Sequence, residues 1–384
     1  MRITWRFIAA ARNSYAALYA AAEKYGYILE PVDSPADGGD VICYSLNSLD
    51  YPKYVDEIRS AEQITIVGGP HPSACLNEVS LIADYVVVGE GERTLPRLLA
   101  ALDAGEGEGE DAKIPGVASR DSGFVPVDHS VRLDAFPSFS RMKGYIELSR
   151  GCPFSCAYCQ TPCLHGRKMR HRSREAIVSM AEKYQDARFV TPNAFAYGSA
   201  DGRVPDVEKL RRLLSSMPKN NIYFGTFPSE VRPEFVIQET AELVTEFCSN
   251  TKLHFGVQSG SDAVLRKMGR GHTVADVYSA LDICKKVGLT PVVDVIFGFP
   301  FASDEDEEVT LALVREVTRY GTAHVHYLTP LPGTPLAGST PRDILPEIDT
   351  KLGQLALSGR VTGYWHDKFS FYSNTENASS SGDK

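Results

Sequence analysis

Ser149-Arg150-Gly151-Cys152-Pro153-Phe154-Ser155-Cys156-Ala157-Tyr158-Cys159 is the stretch from which both fold and chemistry are read. Its cysteines follow a C-x3-C-x2-C spacing. Three thiolates this close can wrap one face of a metal or a cluster, while Gly151 and Pro153 shape the loop around them. Three protein ligands leave one coordination position open, and an open position is where a substrate or cofactor binds. Two alternatives compete. Cys163 or His165 could complete a zinc site, or Cys163 could close a fully ligated electron-transfer cluster. The preferred assignment takes Cys152, Cys156 and Cys159 as the metal ligands and Cys163 as a neighbour.

Working outward, Tyr145–Ser149 reads as a strand that delivers this loop, and an alternating series follows it. Strands fit Tyr145–Ser149, Phe189–Pro192, Ile222–Phe227, Leu253–Gln258, Val292–Phe297 and Ala323–Leu328. Helices fit Arg174–Tyr184, Val207–Met217, Pro233–Phe247, Val274–Val287 and Asp304–Tyr320. Six βα units with right-handed crossovers make a partial (β/α)6 barrel over 144–335, with chemistry at the C-terminal rim. An accessory segment, 336–372, holds a helix over Pro346–Leu357 and the aromatics Tyr364-Trp365-His366. The polar Asn377–Lys384 belongs to a frayed tail, 373–384.

Ahead of the barrel, 1–102 also alternates. Short apolar runs at Ile3–Ala9, Tyr27–Val32, Asp40–Leu46, Gln63–Val67 and Asp84–Val88 predict a doubly wound α/β domain with a parallel sheet covered on both faces. Its strand ends carry Gly68-Gly69-Pro70-His71-Pro72 and Gly89-Glu90-Gly91-Glu92, where glycine permits tight turns and close approach to a ligand. His71, between two prolines, is expected in an extended loop. A linker, 103–143, contains the acidic run Gly105–Asp111 and a small hairpin around Asp121-Ser122-Gly123.

Composition narrows the class. The 384 residues include 40 basic and 49 acidic side chains, a net charge of −9, which argues against a broad nucleic-acid footprint. With 43% apolar and 23% charged residues, wholesale disorder is excluded. The apolar run Phe7–Ala11 stops at Arg12, too short for a secretion signal, and no stretch of about 20 apolar residues follows. A cytoplasmic protein is expected. Four of the eight cysteines cluster within twelve residues, a pattern of metal or redox chemistry and not of a disulfide scaffold. Cys43, Cys75, Cys248 and Cys284 lie in apolar surroundings, where an inert buried thiol is expected.

On these residues the segment from Tyr145 to about Pro335 resembles the radical S-adenosylmethionine (SAM) superfamily, including the aromatic Tyr158 before the third cysteine. The resemblance implies a [4Fe-4S] cluster on Cys152, Cys156 and Cys159 that cleaves SAM reductively, and a reductant such as ferredoxin or flavodoxin. Gly256-Val257-Gln258-Ser259-Gly260-Ser261 and Arg266–Thr273 resemble the segment that forms part of the SAM site in methylthiotransferases and cobalamin-type radical SAM enzymes. It implies Gln258 and Ser259 on the ribose side and Arg270 on the methionine carboxylate. Ser229-Glu230-Val231-Arg232 offers further polar contacts to SAM, and Ile296 apolar surface to adenine. The family's glycine-glycine-glutamate after the second strand is replaced by Thr191-Pro192-Asn193.

The first domain resembles that of cobalamin-dependent radical SAM enzymes, which implies cobalamin held by Ser45, Gly68, Gly69, His71, Gly89, Glu90 and Gly91. The Asp-x-His-x-x-Gly ligand motif is missing; Ala9-Ala10-Ala11-Arg12-Asn13-Ser14 stands there. The preferred function is a cobalamin-dependent methyltransferase acting on an unactivated centre of a small molecule. Radical rearrangement or cyclisation comes second. A methylthiotransferase ranks behind both, because that family's first domain supplies three more cysteines and here there are only Cys43 and Cys75. A non-catalytic iron–sulfur or corrinoid carrier ranks last. His324, His326, Tyr327 and Tyr364-Trp365-His366 are candidates for substrate contact, with packing the commoner role for such residues.

Overall fold

The computed structural model describes residues 1–105, 114–120, 123–128 and 130–366. Most of the acidic run, the hairpin turn Asp121-Ser122 and the tail beyond 366 lie outside the described residues. Contacts divide the chain into two compact units, Met1–Ile146 with Cys163–His165, and Glu147–Pro162 with Gly166–Lys384.

In the first unit, β1 (Ile3–Arg6), β2 (Leu29–Val32), β3 (Val41–Ser45), β4 (Ile64–Gly68) and β5 (Tyr85–Val87) form a parallel sheet in the order 2-1-3-4-5. β6 (Val117–Ser119) and β7 (Gly123–Phe124) extend it antiparallel. This is the doubly wound order whose direction of winding reverses between β1 and β3. Alternation decides the two faces. Val41, Cys43, Ile66 and Tyr85 pack with Tyr15, Tyr19 and Leu98 on one side. Ile42, Tyr44, Val67 and Val86 pack with Tyr51, Ile58 and Val79 on the other. Both faces are covered, so the strands read as unbroken apolar runs.

One expectation fails here. Pro70–Ala74 is a short helix, not an extended loop. Gly69, at φ 108°, makes the turn from β4, and a Cβ there would stand 2.7 Å from Leu46 O. Pro70 then opens the helix, where its missing N–H costs nothing.

The second unit builds a partial barrel wall. β8 (Ile146–Glu147), β11 (Asp186–Val190) and β12 (Asn221–Tyr223) form one sheet. β13 (Lys252–Gln258), β14 (Thr290–Phe297), β15 (Thr322–Tyr327) and β16 (Val361–Tyr364) form another, all parallel. Val231, outside these strands, makes an isolated parallel bridge to Phe255 of β13. β9 (Ser149–Arg150) and β10 (Arg170–His171) pair antiparallel at the base of the cysteine loop. Five of the described helices start on side-chain caps: Ser173, Asp206 and Ser261 each accept a backbone N–H, and Thr273 and Ser303 form capping boxes. Among the described residues, β16 adds a further strand parallel to β15, drawn from the segment expected to be accessory.

Candidate active site: a cavity with three cysteines

The loop after β9 is fixed by backbone geometry. Gly151 has φ 87°, and a Cβ there would sit 2.3 Å from Lys168 O, so only glycine fits. Cys152 N–H then donates to Gly166 O at 3.1 Å. Beneath the loop, Glu147 takes hydrogen bonds from Arg150 (2.7 and 3.1 Å) and Arg172 (2.9 Å). Burial opposes ionisation of Glu147, but the two guanidinium groups outweigh it and hold the carboxyl below its usual range.

Cys152, Cys156 and Cys159 line one cavity of about 320 Å³, together with Tyr158, Thr191, Glu230, Arg232, Gln258, Arg270 and Asp294. Cys163 is exposed and is not among the lining residues. The Gly269-Arg270-Gly271 turn presses against the loop: Ala157 N–H donates to Met268 O at 2.8 Å. A Cβ on Gly269 would lie 3.0 Å from Ser155 O, and one on Gly271 3.3 Å from the Phe154 ring.

Arg270 is the electrostatic centre. Its Nη1 lies 3.8 Å from Cys156 Sγ, its Nη2 donates to Gly256 O at 2.7 Å, and its Nε has no partner. Among the described residues no carboxylate pairs with this buried cation, which leaves it oriented for an anion. Arg232 donates to Arg270 O and to Glu234 (2.6 Å), and its guanidinium covers the Phe154 ring at 3.5 Å. His272 Nε2–H donates to Val257 O (3.2 Å), and the ring is kept neutral, its pKa lowered to about 2 by burial, then by Arg270 and Arg232.

Gln258 ends β13 at φ 71°, a left-handed conformation unusual for a side chain with a Cβ, at a register shift in the β13–β14 pairing. The kink turns Gln258 onto the cavity wall. Glu230, which also lines the cavity, has its carboxyl pushed up to about 7, by burial first and then by Asp294.

Other expected SAM contacts fall elsewhere. Ser229 Oγ donates to Thr226 O at 2.9 Å, and Ser259 Oγ lies 3.1 Å from Thr310 Oγ1. Ile296 packs with Tyr158, Met268 and Phe299 in an apolar cluster. None of the three lines the cavity. Thr191, in the stretch that departs from the family pattern, does line the cavity, while Asn193 two residues on does not. Thr191 Oγ1 and both side-chain atoms of Asn193 are buried without a partner. Asp294 was missed altogether, although a lone carboxylate inside the apolar run Thr290–Phe297 was a legible signal.

The donor chemistry fits the implied groups. Three thiols, an unpaired buried guanidinium and orphaned polar atoms at Thr191 and Asn193 suit an iron–sulfur cluster and a zwitterionic ligand. In the first unit the fit is narrower. Gly68 pairs with Ser45 at the strand ends and Gly89 follows β5, but Gly91 packs against Leu18 and Glu90 accepts Val131 N–H at 3.0 Å. The His71 ring is buried beneath Tyr51. The turn after β1 is a 3-10 segment of three alanines. A corrin there would be held without a protein histidine.

Residues 146–314, somewhat under half of the chain, match the radical SAM superfamily, so this stretch is similar to a radical SAM domain. The chain's fold is that of two solved relatives at 17% identity. Radical SAM methyltransferase TsrM from Kitasatospora setae, with cobalamin and a [4Fe-4S] cluster bound, gives a TM-score of 0.67 over 88% of this chain and 74% of that one. The cobalamin-dependent radical enzyme OxsB with aqua-cobalamin gives 0.62 over 93% and 55%.

Among curated proteins, a tRNA-2-methylthio-N(6)-dimethylallyladenosine synthase from Geobacter sulfurreducens is 31% identical over 64% of this chain and 53% of its own length. One of the same name from Cellvibrio japonicus is 30% identical over 79% and 66%. The chain thus spans about half to two thirds of the length of these relatives. These matches overturn the expected function. Preferring a cobalamin-dependent methyltransferase and ranking methylthio transfer behind it does not survive sequence relatives that are named methylthiotransferases. The missing N-terminal cysteines were weighted above the barrel's own likeness. Among the described residues, no helix is long and apolar enough to cross a membrane.

Proposed function

We propose that the second unit binds a [4Fe-4S] cluster and SAM and generates a radical that removes hydrogen from a C–H bond of the substrate. The observation that carries this is the convergence of Cys152, Cys156, Cys159 and Arg270 on a single cavity. A cluster bound there supplies the electron that splits SAM into methionine and a 5′-deoxyadenosyl radical. The protein's own residues do the rest. Arg270 offers a fork to the methionine carboxylate, and Asn193 and Thr191 offer a donor and acceptors to its amino group. Gln258 faces the ribose. Glu230, protonated near neutrality, can donate a hydrogen bond instead of opposing a nearby anion.

The first unit is read as a corrinoid-binding fold, supported by its 2-1-3-4-5 sheet and by the glycine turns after β4 and β5. The electron enters from a small redox protein of the ferredoxin or flavodoxin kind. The test is anaerobic reconstitution with iron and sulfide, reduction, and mass spectrometry for 5′-deoxyadenosine and methionine. Both products in wild type and neither in Cys156→Ala supports the reading; a reduced, cluster-loaded chain that leaves SAM intact sinks it. Hydroxocobalamin retention after gel filtration tests the corrinoid separately.

A further inference from the structure

In the first unit, His71, Cys75 and Glu78 bring a ring nitrogen, a sulfur and a carboxylate oxygen within 4.8 Å of one another. The backbone makes this so. Cys75 N–H donates to His71 O at 2.8 Å and Glu78 N–H to Cys75 O at 3.1 Å, through the two short helical segments that leave β4. Residues spaced by one helical turn share a face.

The Nε2 of His71 is aimed into this group and lacks a hydrogen-bond partner. The residue is 4% exposed, and its buried Nε2 makes no hydrogen bond. Glu78 Oε2 is 3.9 Å away, beyond hydrogen-bond range. Nδ1 lies 3.2 Å from Ser48 Oγ, and the ring stacks on Tyr51 with centroids 4.0 Å apart. Donation from Nδ1–H to Ser48 leaves the lone pair on Nε2, facing Cys75 and Glu78. Ser48 and Tyr51 together fix the orientation of the His71 ring. Supporting contacts of this kind are what hold metal ligands in place.

We propose that His71 Nε2, Cys75 Sγ and a Glu78 carboxylate oxygen bind one zinc ion, with the fourth position left for water or an exogenous donor. The mixed nitrogen, sulfur and oxygen set suits zinc, whereas calcium and magnesium demand oxygen alone. Bond lengths of about 2.0–2.3 Å put ligand atoms of a tetrahedral site roughly 3.3–3.8 Å apart. Glu78, with a side chain 55% exposed, can turn to close the remaining gap. Binding moves the Cys75 thiol proton to solvent. The site stands on these three side chains and does not rest on the SAM or corrinoid readings.

The test uses the full-length, cluster-loaded chain, equilibrated with zinc sulfate, desalted, and assayed for zinc and iron by elemental mass spectrometry. About one zinc per chain is expected beyond the iron. Cys75→Ala and His71→Gln should lower retained zinc roughly tenfold or more with iron unchanged. Cobalt(II) in place of zinc should give a thiolate charge-transfer band that Cys75→Ala lacks. If either variant fails to fold, Glu78→Gln, at an exposed side chain, carries the test through a roughly tenfold weaker zinc affinity. Wild type that retains no more zinc than Cys75→Ala, or equal affinity in wild type and Glu78→Gln, overturns the proposal. Loss of SAM cleavage or of corrin retention with zinc still bound would leave it standing.

Discussion

Arg270 Nη1 lies 3.8 Å from the sulfur of Cys156 while Nη2 of the same guanidinium donates to Gly256 O at 2.7 Å. One planar group is thereby tied to β13 and to the cysteine loop at once, with its Nε edge unused. Arg270→Lys keeps the charge but loses the fork. A hydrogen bond to a charged group is worth about 1.5–3 kcal/mol, so SAM affinity in equilibrium dialysis should fall about tenfold to a hundredfold with iron content retained. Equal affinity in the variant would remove Arg270 from the SAM site.

Each of Cys152→Ala, Cys156→Ala and Cys159→Ala should abolish the brown iron–sulfur chromophore. Cys163→Ala should spare it, since Cys163 is exposed and off the cavity. Visible absorption and iron content after reconstitution read this directly, and bleaching of the Cys163 variant would mean four thiolate ligands.

Asn193 gives a prediction with two opposite signs. It is 3% exposed, and neither side-chain polar atom has a partner. Asn193→Ala removes that cost, about 1–3 kcal/mol for a buried unsatisfied group, so the ligand-free chain should melt at the same or a higher temperature. Meanwhile SAM should bind more weakly, by roughly tenfold, if the amide receives the SAM amino group. Lower melting temperature with unchanged SAM affinity would make Asn193 a packing residue.

Glu230 predicts a pH effect. Burial, then Asp294, push its carboxyl from the ordinary 4.5 up to about 7. Between those values the native chain holds a proton that the unfolded chain has released, so stability falls as pH rises through this window. The slope contributed is at most about 1.4 kcal/mol per pH unit. In urea titrations without SAM, Glu230→Gln should flatten that fall. Identical slopes in the two proteins would count against the raised value.

Much of this was readable beforehand, and the failures are physical. Strand periodicity and caps located the helix Val274–Val287 and the helix Pro346–Leu357 at their observed bounds, because those segments form mostly through local contacts. That Cys152, Cys156 and Cys159 share one cavity was legible because close sequence spacing is a local property too. The helix at Pro70–Ala74 was not, since the turn at Gly69 depends on Leu46, which lies distant in sequence. Ser229 and Ser259 were assigned to SAM from their place in a motif. The directions of their side chains depend on Thr226 O and on Thr310, again outside the motif. Val361–Tyr364 was passed over because four residues carry too little pattern to predict a strand.

That last strand has a practical bearing on how the chain can be shortened. β16 pairs with β15 along Ala323–His326, and a Cβ at Gly363 would run into Val325 O at 2.0 Å, so the two backbones are closely fitted. Cutting the chain after Pro335, where the repeating βα units end, would strip β15 of its neighbour and bare a row of amide and carbonyl groups. Such an edge is a template for pairing with other chains. The trimmed protein should precipitate or form soluble aggregates on a sizing column, whereas ending it at 366 should leave it monodisperse.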